Sequence, residues 1–318
     1  MSEILLKGVN RMMRSTVIRN FQQADMPLLG DFYQAVTKGK KVVFWWIGPE
    51  ENWQNVYCAF ENEQMVGKGQ VEVIHVVRDG FPQESKHTIY LNLKVLPKRE
   101  SDYELYKELY EKLYNRALEL KQLLSANYQT ILCVGNFRTE VRNNQFFVEE
   151  KGFKHLNTLY TMKRDLKKRI ESVNLVQPEL HWEYWKMSSI EEEKEYLEVE
   201  AEIWPDAALG INRLRDYKNN KFWTSITIRD KGAIIASAMA WQEDEMGVIE
   251  EVFVRKHWRK QGIAKFLLTT ALTYLKEKGL KGAKLMVDTE NEKALNLYKS
   301  VGFEVTDEEN RFFIELNC

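Results

Sequence analysis

The sequence predicts a mixed α+β fold that is used twice. The chain has 318 residues, room for two domains at roughly 100–200 residues each. Each half reads as a hairpin of strands followed by strand–helix–strand–helix–strand, an order that gives a mixed, mostly antiparallel sheet flanked by helices. In both halves the second helix closes on Gly-Phe ahead of a last strand, at Gly152-Phe153 and at Gly302-Phe303. This self-similarity reads as an internal duplication. The expected division is a domain over 1–166, a linker over about 167–178 and a second domain over 179–318.

The elements follow in order. Val56 to Phe60 and Met65 to Val77 flank a polar link, Glu61-Asn62-Glu63-Gln64, as a hairpin. Thr88 to Leu96 is the next strand. Tyr103 to Leu124 is a helix, with Tyr106, Leu109, Tyr110, Leu113, Ala117 and Leu120 on one face. Thr130 to Val134 is a strand, Asn143 to Lys151 a helix and Leu156 to Met162 a strand. The charged run from Arg164 to Glu171 marks the boundary. Beyond it, Leu180 to Lys186 reads as a strand, and Ile190 to Trp204 as a helix stopped by Pro205. Lys221 to Arg229 and Ala233 to Trp241 form a hairpin around Asp230-Lys231-Gly232, followed by a strand from Val248 to Val254. Ile263, Leu267, Ala271, Tyr274 and Leu275 recur at helical spacing, and Gly279 ends that helix as a C-cap. Ala283 to Val287 is a strand, Glu290 to Ser300 a helix and Arg311 to Leu316 a last strand.

Composition narrows the function. A formal net charge of −1 argues against a general nucleic-acid binder. No run approaches the roughly 18 apolar residues of a membrane span, and Met1 to Arg14 lacks the apolar core of a secretory signal. Three cysteines, Cys58, Cys133 and Cys318, have neither metal nor redox spacing and suit a reducing cytoplasm. His75, His87, His155, His181 and His257 show no ligand spacing, so no metal site is expected.

The segment Val254 to Lys265 joins a strand to a helix and carries Arg255, Lys256, Arg259, Lys260 and Lys265 around Gly262 and Ala264. A helix start exposes unpaired N–H groups and about half a positive charge. With small residues beside it, such a start suits an anion, a diphosphate best. The spacing is neither the P-loop nor the dinucleotide fingerprint. Close helix–sheet packing explains the small residues equally well at this stage. Glu250 and Glu251 precede the loop on its strand, where alternation puts only one of them on the cleft side. Tyr298 lies on an apolar stripe with Ala294, Leu297 and Val301, and on that ground alone is a core tyrosine. Asn291 stands where a helix cap belongs.

Arg259-x-x-Gly262-x-Ala264 resembles the coenzyme A loop of the GNAT superfamily of N-acetyltransferases. Asn291-x-x-Ala294-x-x-x-Tyr298-x-x-x-Gly302-Phe303 resembles the motif that follows it there. The likeness is strong over about Phe222 to Leu316; Lys256 stands where the family often has proline, and Ala264 where it often has glycine. The resemblance implies two GNAT folds in tandem and direct transfer of an acetyl group from acetyl-CoA to a primary amine, with no metal. It implies that Val252, Phe253 and Val254 hold pantetheine and polarise the thioester through their main chain. Arg259, Lys260, Gln261, Gly262, Ile263, Ala264 and Lys265, with Asn291, would hold the rest of the coenzyme. Glu250 or Glu251 would be the base, and Tyr298 the acid for the leaving thiolate.

The acceptor, a small-molecule or peptide amine, would lie near Glu202 to Gly210. Trp204, Trp223 and Trp241 are possible walls, and Glu202 or Asp206 a partner for its charge. No nucleic-acid or membrane partner is expected, and oligomeric state is left open. In the N-terminal half, the segment Pro97 to Glu104 has no glycine and carries Glu100, Asp102 and Glu104, which repel a diphosphate. Val148 takes the place of Tyr298 when the Gly-Phe pairs are matched. One working site, in the C-terminal half, is therefore expected. The rival readings are a non-catalytic acyl-CoA sensor and a transferase with a longer acyl donor.

Overall fold

The computed structural model describes residues 16–77, 80–175, 177, 179–205 and 208–317. The N-terminal half contains β1 (Val17–Asn20), α1 (Met26–Thr37), β2 (Val56–Glu61), β3 (Gln64–His75), β4 (Lys86–Val95), α2 (Tyr103–Lys121), β5 (Gln129–Phe137), α3 (Val141–Gln145) and β6 (Lys154–Asp165). The C-terminal half contains β7 (His181–Trp185), α4 (Ile190–Ile203), α5 (Ile211–Lys218), β8 (Lys221–Asp230), β9 (Ala233–Glu243), β10 (Met246–Val254), α6 (Ile263–Glu277), β11 (Gly282–Asp288), α7 (Glu292–Ser300) and β12 (Glu304–Glu315). The two halves carry the same order of elements except that α4 and α5 stand where the N-terminal half has α1 alone, and α3 is continued by one wider turn over Phe146–Glu150.

All twelve strands form one sheet, in the order β1-β2-β3-β4-β5-β12-β6-β11-β10-β9-β8-β7. Its centre is an exchange. The last strand of the C-terminal half, β12, pairs with β5 of the N-terminal half, from Glu309↔Phe137 to Glu315↔Ile131. The last strand of the N-terminal half, β6, pairs with β11, from Gly282↔Asp165 to Asp288↔Leu159. The two exchanged strands also pair with each other along most of their length. Neither half therefore closes its own sheet. The division of the sequence at the linker is not the division of the hydrogen-bonded ladder.

Side-chain patterning accounts for the layers. The apolar stripe of α2, including Leu109 and Leu113, is fully buried in one core with β2 to β5 and α1. Helix α6 buries Leu267, Leu268, Ala271, Leu272 and Leu275 against β8 to β11 on one face of the sheet. On the other face Tyr196, Leu209, Leu214, Trp223, Met239, Trp241 and Phe253 build a second, aromatic core under α4 and α5. Helix α4 starts in a capping box, with Ser189 accepting from the Glu192 N–H and Glu192 returning to the Ser189 N–H.

The sequence reading differs from the structure at the termini of the halves and in helix α5, which it did not predict. The last strands run over Lys154–Asp165 and Glu304–Glu315, well beyond the predicted Leu156 to Met162 and Arg311 to Leu316. They are half-buried ladders whose charged residues mask any alternation. Strand β1 and helix α1 were not predicted; β1 has only four residues, too few to show a period. Among the described residues no helix is long and apolar enough to cross a membrane.

The exchange has a thermodynamic consequence. Unfolding either half strips a ladder from the other, so calorimetry should show one cooperative transition with matching calorimetric and van't Hoff enthalpies. Two resolved transitions would mean that the halves are independent despite the shared strands.

Candidate functional site

Strands β10 and β11 run parallel but pair only at Gly247↔Ala283 and Val248↔Lys284. Beyond Val248 they part. At the same place β10 carries a bulge: Glu250 faces Met239 and Phe253 faces Ser237, so Glu251 and Val252 together oppose Ala238. Glu251 adopts a left-handed backbone, φ +52°. The gap between the strands opens into a cavity of about 480 Å³. Val252, Phe253 and Val254 line one wall, the loop from Trp258 to Lys265 a second, and Asn291, Ala294, Leu297 and Tyr298 on α7 a third. The cavity thus gathers the sequence-predicted Val252, Phe253, Val254, Arg259, Lys260, Gly262, Ile263, Ala264, Lys265, Asn291 and Tyr298 in one place. Gln261 stands outside it, exposed, with its side chain bonded to Gln177 at 2.7 Å and to the His257 carbonyl.

The loop prepares the helix start. Lys260 and Gly262 are both left-handed, at φ +64° and +80°, and Arg259 braces the turn by donating from Nε to the Val254 carbonyl at 2.9 Å. Gly262 is the N-cap of α6, and no described side chain caps it. The first-turn N–H groups of a fifteen-residue helix, with its dipole behind them, therefore point outward uncapped. The packing explanation for Gly262 does not hold, since a Cβ there would meet nothing within 4 Å. Gly247 is the contrasting case: a Cβ on it would lie 2.5 Å from Leu275, so that glycine serves close packing of α6 on the sheet. Gly262 is needed for its backbone angle and leaves open space beside the helix terminus.

Across the bulge the polarity reverses. The Tyr217 hydroxyl donates to Glu250 Oε2 at 2.8 Å, and Arg213 Nε donates to the same hydroxyl at 2.9 Å. Tyr217 stacks on Trp241 with ring centroids 4.6 Å apart. Both Arg213 and Tyr217 sit within electrostatic reach of Glu250 and Glu251 together. The expectation that strand alternation puts one of the two carboxylates on the cleft side is thus corrected: the bulge breaks the alternation, Glu250 bonds to α5 and Glu251 feels the same Arg213, and neither lines the cavity of Val252 to Val254. Burial, then Glu200 and Glu250 beside it, pushes the Glu251 carboxyl up to about 8 against a weaker pull from Arg213. Glu200 is itself buried and accepts from the Leu209 N–H at 3.0 Å. Arg213 and Tyr217 were not anticipated. Their only sequence signal is an i,i+4 pair on a short polar helix.

Tyr298 is mostly buried against Phe303, and burial pushes its hydroxyl up to about 12. The hydroxyl makes no hydrogen bond to a described residue. Asn291 caps α7, its side chain accepting from the Ala294 N–H at 3.1 Å. Of the expected acceptor walls, Trp204 meets Phe253 edge-on at 5.8 Å and lines the cavity. Trp223 and Trp241 are buried core. Glu202 pairs with Arg255 at 2.8 Å, and Asp206 lies outside the described residues. Among the described residues no three His, Cys, Asp or Glu side chains are grouped to hold a metal ion.

The matching place in the N-terminal half is filled. Strands β4 and β5 pair over six positions, from Lys86↔Gln129 to Leu91↔Val134. Where they part, buried Lys94 binds Glu140 and donates to Asn136 at 2.7 Å, and Asn143 donates to the Leu93 carbonyl at 3.0 Å. The α2 terminus is already capped: Asp102 accepts from the Leu105 N–H and is held by Arg99 at 3.0 Å. Val148, four residues before Gly152, is exposed.

Comparison with known proteins places this geometry. Residues 179–303 match the model of the acetyltransferase (GNAT) family. An uncharacterized N-acetyltransferase of Methanocaldococcus jannaschii is 36% identical over 63 residues, 20% of this chain and 28% of that protein. A mycothiol acetyltransferase of Thermobifida fusca is 32% identical over 83 residues, 26% of this chain and 24% of that protein. The chain therefore spans only about a quarter of the length of these curated relatives. Among solved structures, a GCN5-related N-acetyltransferase from Sphaerobacter thermophilus superposes with a TM-score of 0.71 at 16% identity, over 95% of this chain and 96% of that one. A tandem GNAT protein from the clavulanic acid biosynthesis pathway superposes at 0.67 with 12% identity, over 96% and 99%. The chain has the tandem GNAT fold.

The raised Glu251 carboxyl fixes a sign for stability. Below pH 4.5 the group is protonated in both folded and unfolded chains. Between 4.5 and about 8 the unfolded chain ionises while the fold resists, so wild-type stability falls as pH rises through that window. Glu251→Gln removes this loss. Its melting temperature relative to wild type should rise from pH 4.5 to pH 8 and level off above; a pH-independent difference would refute the buried, repelled carboxyl.

Proposed function

We propose, from residues 179–303 being a GNAT-type acyltransferase domain, that this chain transfers an acetyl group from acetyl-CoA to a primary amine, with one site in the C-terminal half. The observation that carries the reading is the uncapped α6 terminus opening onto the parted β10 and β11 strands, with carboxylates on the far side of the bulge. The residues present fit the coenzyme. The α6 N–H groups, Lys260 and Lys265 offer charge and donors to a diphosphate. The freed main-chain edge of Val252 to Val254 offers partners to pantetheine amides. The coenzyme supplies an activated thioester.

This chain's residues then have three tasks. A main-chain N–H released by the bulge donates to the thioester oxygen as negative charge develops there; such donors contribute ~2.7–4 kcal/mol each in hydrolases. Glu251 takes the proton from the acceptor ammonium, directly or through water. Its pKa of about 8 lies closer to an amine near ~10.4 than an ordinary carboxylate does, which reduces the uphill part of that transfer. Glu250, held by the Tyr217 hydroxyl, orients the acceptor and keeps the negative field that draws an ammonium in. Tyr298 acts on the leaving sulfur. With its hydroxyl at about 12 against ~8.5 for an ordinary thiol, it donates a hydrogen bond to the thiolate; full proton transfer from it is uphill. The filled cleft and capped α2 terminus support a scaffold role for the N-terminal half.

Two variants test the reading. Gly262→Glu puts a carboxylate and a strained backbone at the helix start, and calorimetric titration with coenzyme A should show binding abolished; unchanged affinity would sink the diphosphate assignment. Tyr298→Phe should lower turnover about 10- to 100-fold, the loss of a hydrogen bond to a charged group, with coenzyme affinity nearly intact. Equal turnover, followed by thiol release with an amine panel, would remove Tyr298 from the chemistry.

A further inference from the structure

A second basic site lies behind the coenzyme cavity. A pocket of about 210 Å³ is bounded by the end of β6, the segment after it, α6 and the C-terminal end of α7. Four cations line it: Arg164, Arg169, Lys265 and Lys299. None of them forms an ion pair with a described carboxylate, although Glu171 lines the same pocket. Arg164 is the unusual one. It is 7% exposed, and its guanidinium donates only to carbonyls, those of Val301, Asp165 and Arg169 at 3.1, 3.1 and 2.8 Å. A buried charge without a counter-charge is costly, and carbonyl dipoles compensate it only in part.

The seat of Arg164 is built. Gly302, at φ +87°, lies against the guanidinium, and a Cβ there would come within 2.7 Å of Nε and 2.9 Å of Cζ. At Gly152, its counterpart in the N-terminal half, a Cβ would meet nothing within 4 Å. The second Gly-Phe corner thus makes room for an arginine delivered by the exchanged strand β6. Lys265 lines this pocket and the coenzyme cavity alike, so the two adjoin.

We propose that this pocket, completed by Arg164 from the exchanged strand β6 and Arg169 from the segment after it, binds a phosphate monoester. Four cations against one carboxylate favour a doubly charged anion over a single carboxylate. Arginine and lysine donors on several sides suit the tetrahedral oxygens of phosphate. At ~30 Å³ per water, the volume admits a phosphate group with a few waters. Two sources carry this group: the 3′-phosphate of coenzyme A, an assignment that rests on the acetyl-CoA reading above, and a free phosphorylated effector. On either source the exchanged strand does more than complete a sheet, since it brings a charge from one half to a site on the other.

The test compares coenzyme A, 3′-dephospho-coenzyme A and inorganic phosphate by calorimetric titration, on the full-length chain and on the surface variant Arg169→Gln/Lys299→Gln. If the coenzyme supplies the phosphate, wild type binds coenzyme A about tenfold or more tighter than the dephospho form, and the variant loses that difference while binding the dephospho form as before. If the ligand is a free anion, the two coenzymes bind equally, and wild type binds phosphate where the variant does not. Equal coenzyme affinities with no variant-sensitive phosphate binding overturn the proposal while leaving the transferase reading in place. Failure of both coenzymes to bind overturns the transferase reading, and the phosphate titration still decides the pocket. Arg164→Lys, which keeps the charge but not the fork of donors, should weaken the same binding several-fold if it folds.

Discussion

The site depends on where two parallel strands stop pairing. A parallel ladder satisfies the N–H and C=O groups that each strand turns toward the other, and leaving it exposes those groups, which then need other partners. Here β10 leaves β11 after two pairs and at once bulges against β9. The bulge turns the edge of Val252 to Val254 into the gap and swings Glu250 and Glu251 to one side. The same parting sets α6 at the mouth of the gap, since that helix begins a few residues after the strand ends. Cavity, helix dipole and carboxylates are thus three results of one interruption in a ladder.

The N-terminal half shows what the fold does without that use. It keeps the elements and even the beginning of a parting between β4 and β5, but closes it with Lys94, Glu140, Asn136 and Asn143. A cleft lined by main-chain groups must be filled by ligand, water or side chains, and here side chains fill it. The α2 terminus is treated alike, with Asp102 taking the place an anion would take. Stability and ligand binding compete for the same main-chain groups: the N-terminal half satisfies them with its own side chains, and the C-terminal half leaves its helix terminus uncapped.

What the sequence revealed follows from which interactions are local. Helical stripes, Gly-Phe corners and the glycine of the α6 loop are set within a few residues, and they were readable. The space around Gly262 ruled out the packing role that spacing alone left open. The strand exchange was not readable. Alternation in β6 and β12 tells which face is buried but not which ladder accepts the strand, and the two are of equal length with similar half-burial. Arg213 and Tyr217 were missed because α5 has eight mostly polar residues and only Leu214 fully buried. The pair of carboxylates was misjudged because alternation presumes an unbroken ladder, and one extra residue on β10, with Glu251 left-handed, breaks it.

Charge is arranged in layers about β10. On the α6 side, Lys260, Lys265 and the helix dipole make a positive field that extends, through Lys265, to Arg164, Arg169 and Lys299. On the α5 side, Glu200 and Glu250 make a negative one, tempered by Arg213, and burial together with that field holds the Glu251 proton up to about pH 8. Only the width of one strand separates the two fields at the bulge. A polyanionic donor and a cationic acceptor would approach from opposite sides and be drawn to the same residues. On the proposed transferase reading, a chain with net charge −1 would bring two oppositely charged reactants together, because what matters is how its charge is divided across one strand and not its sum.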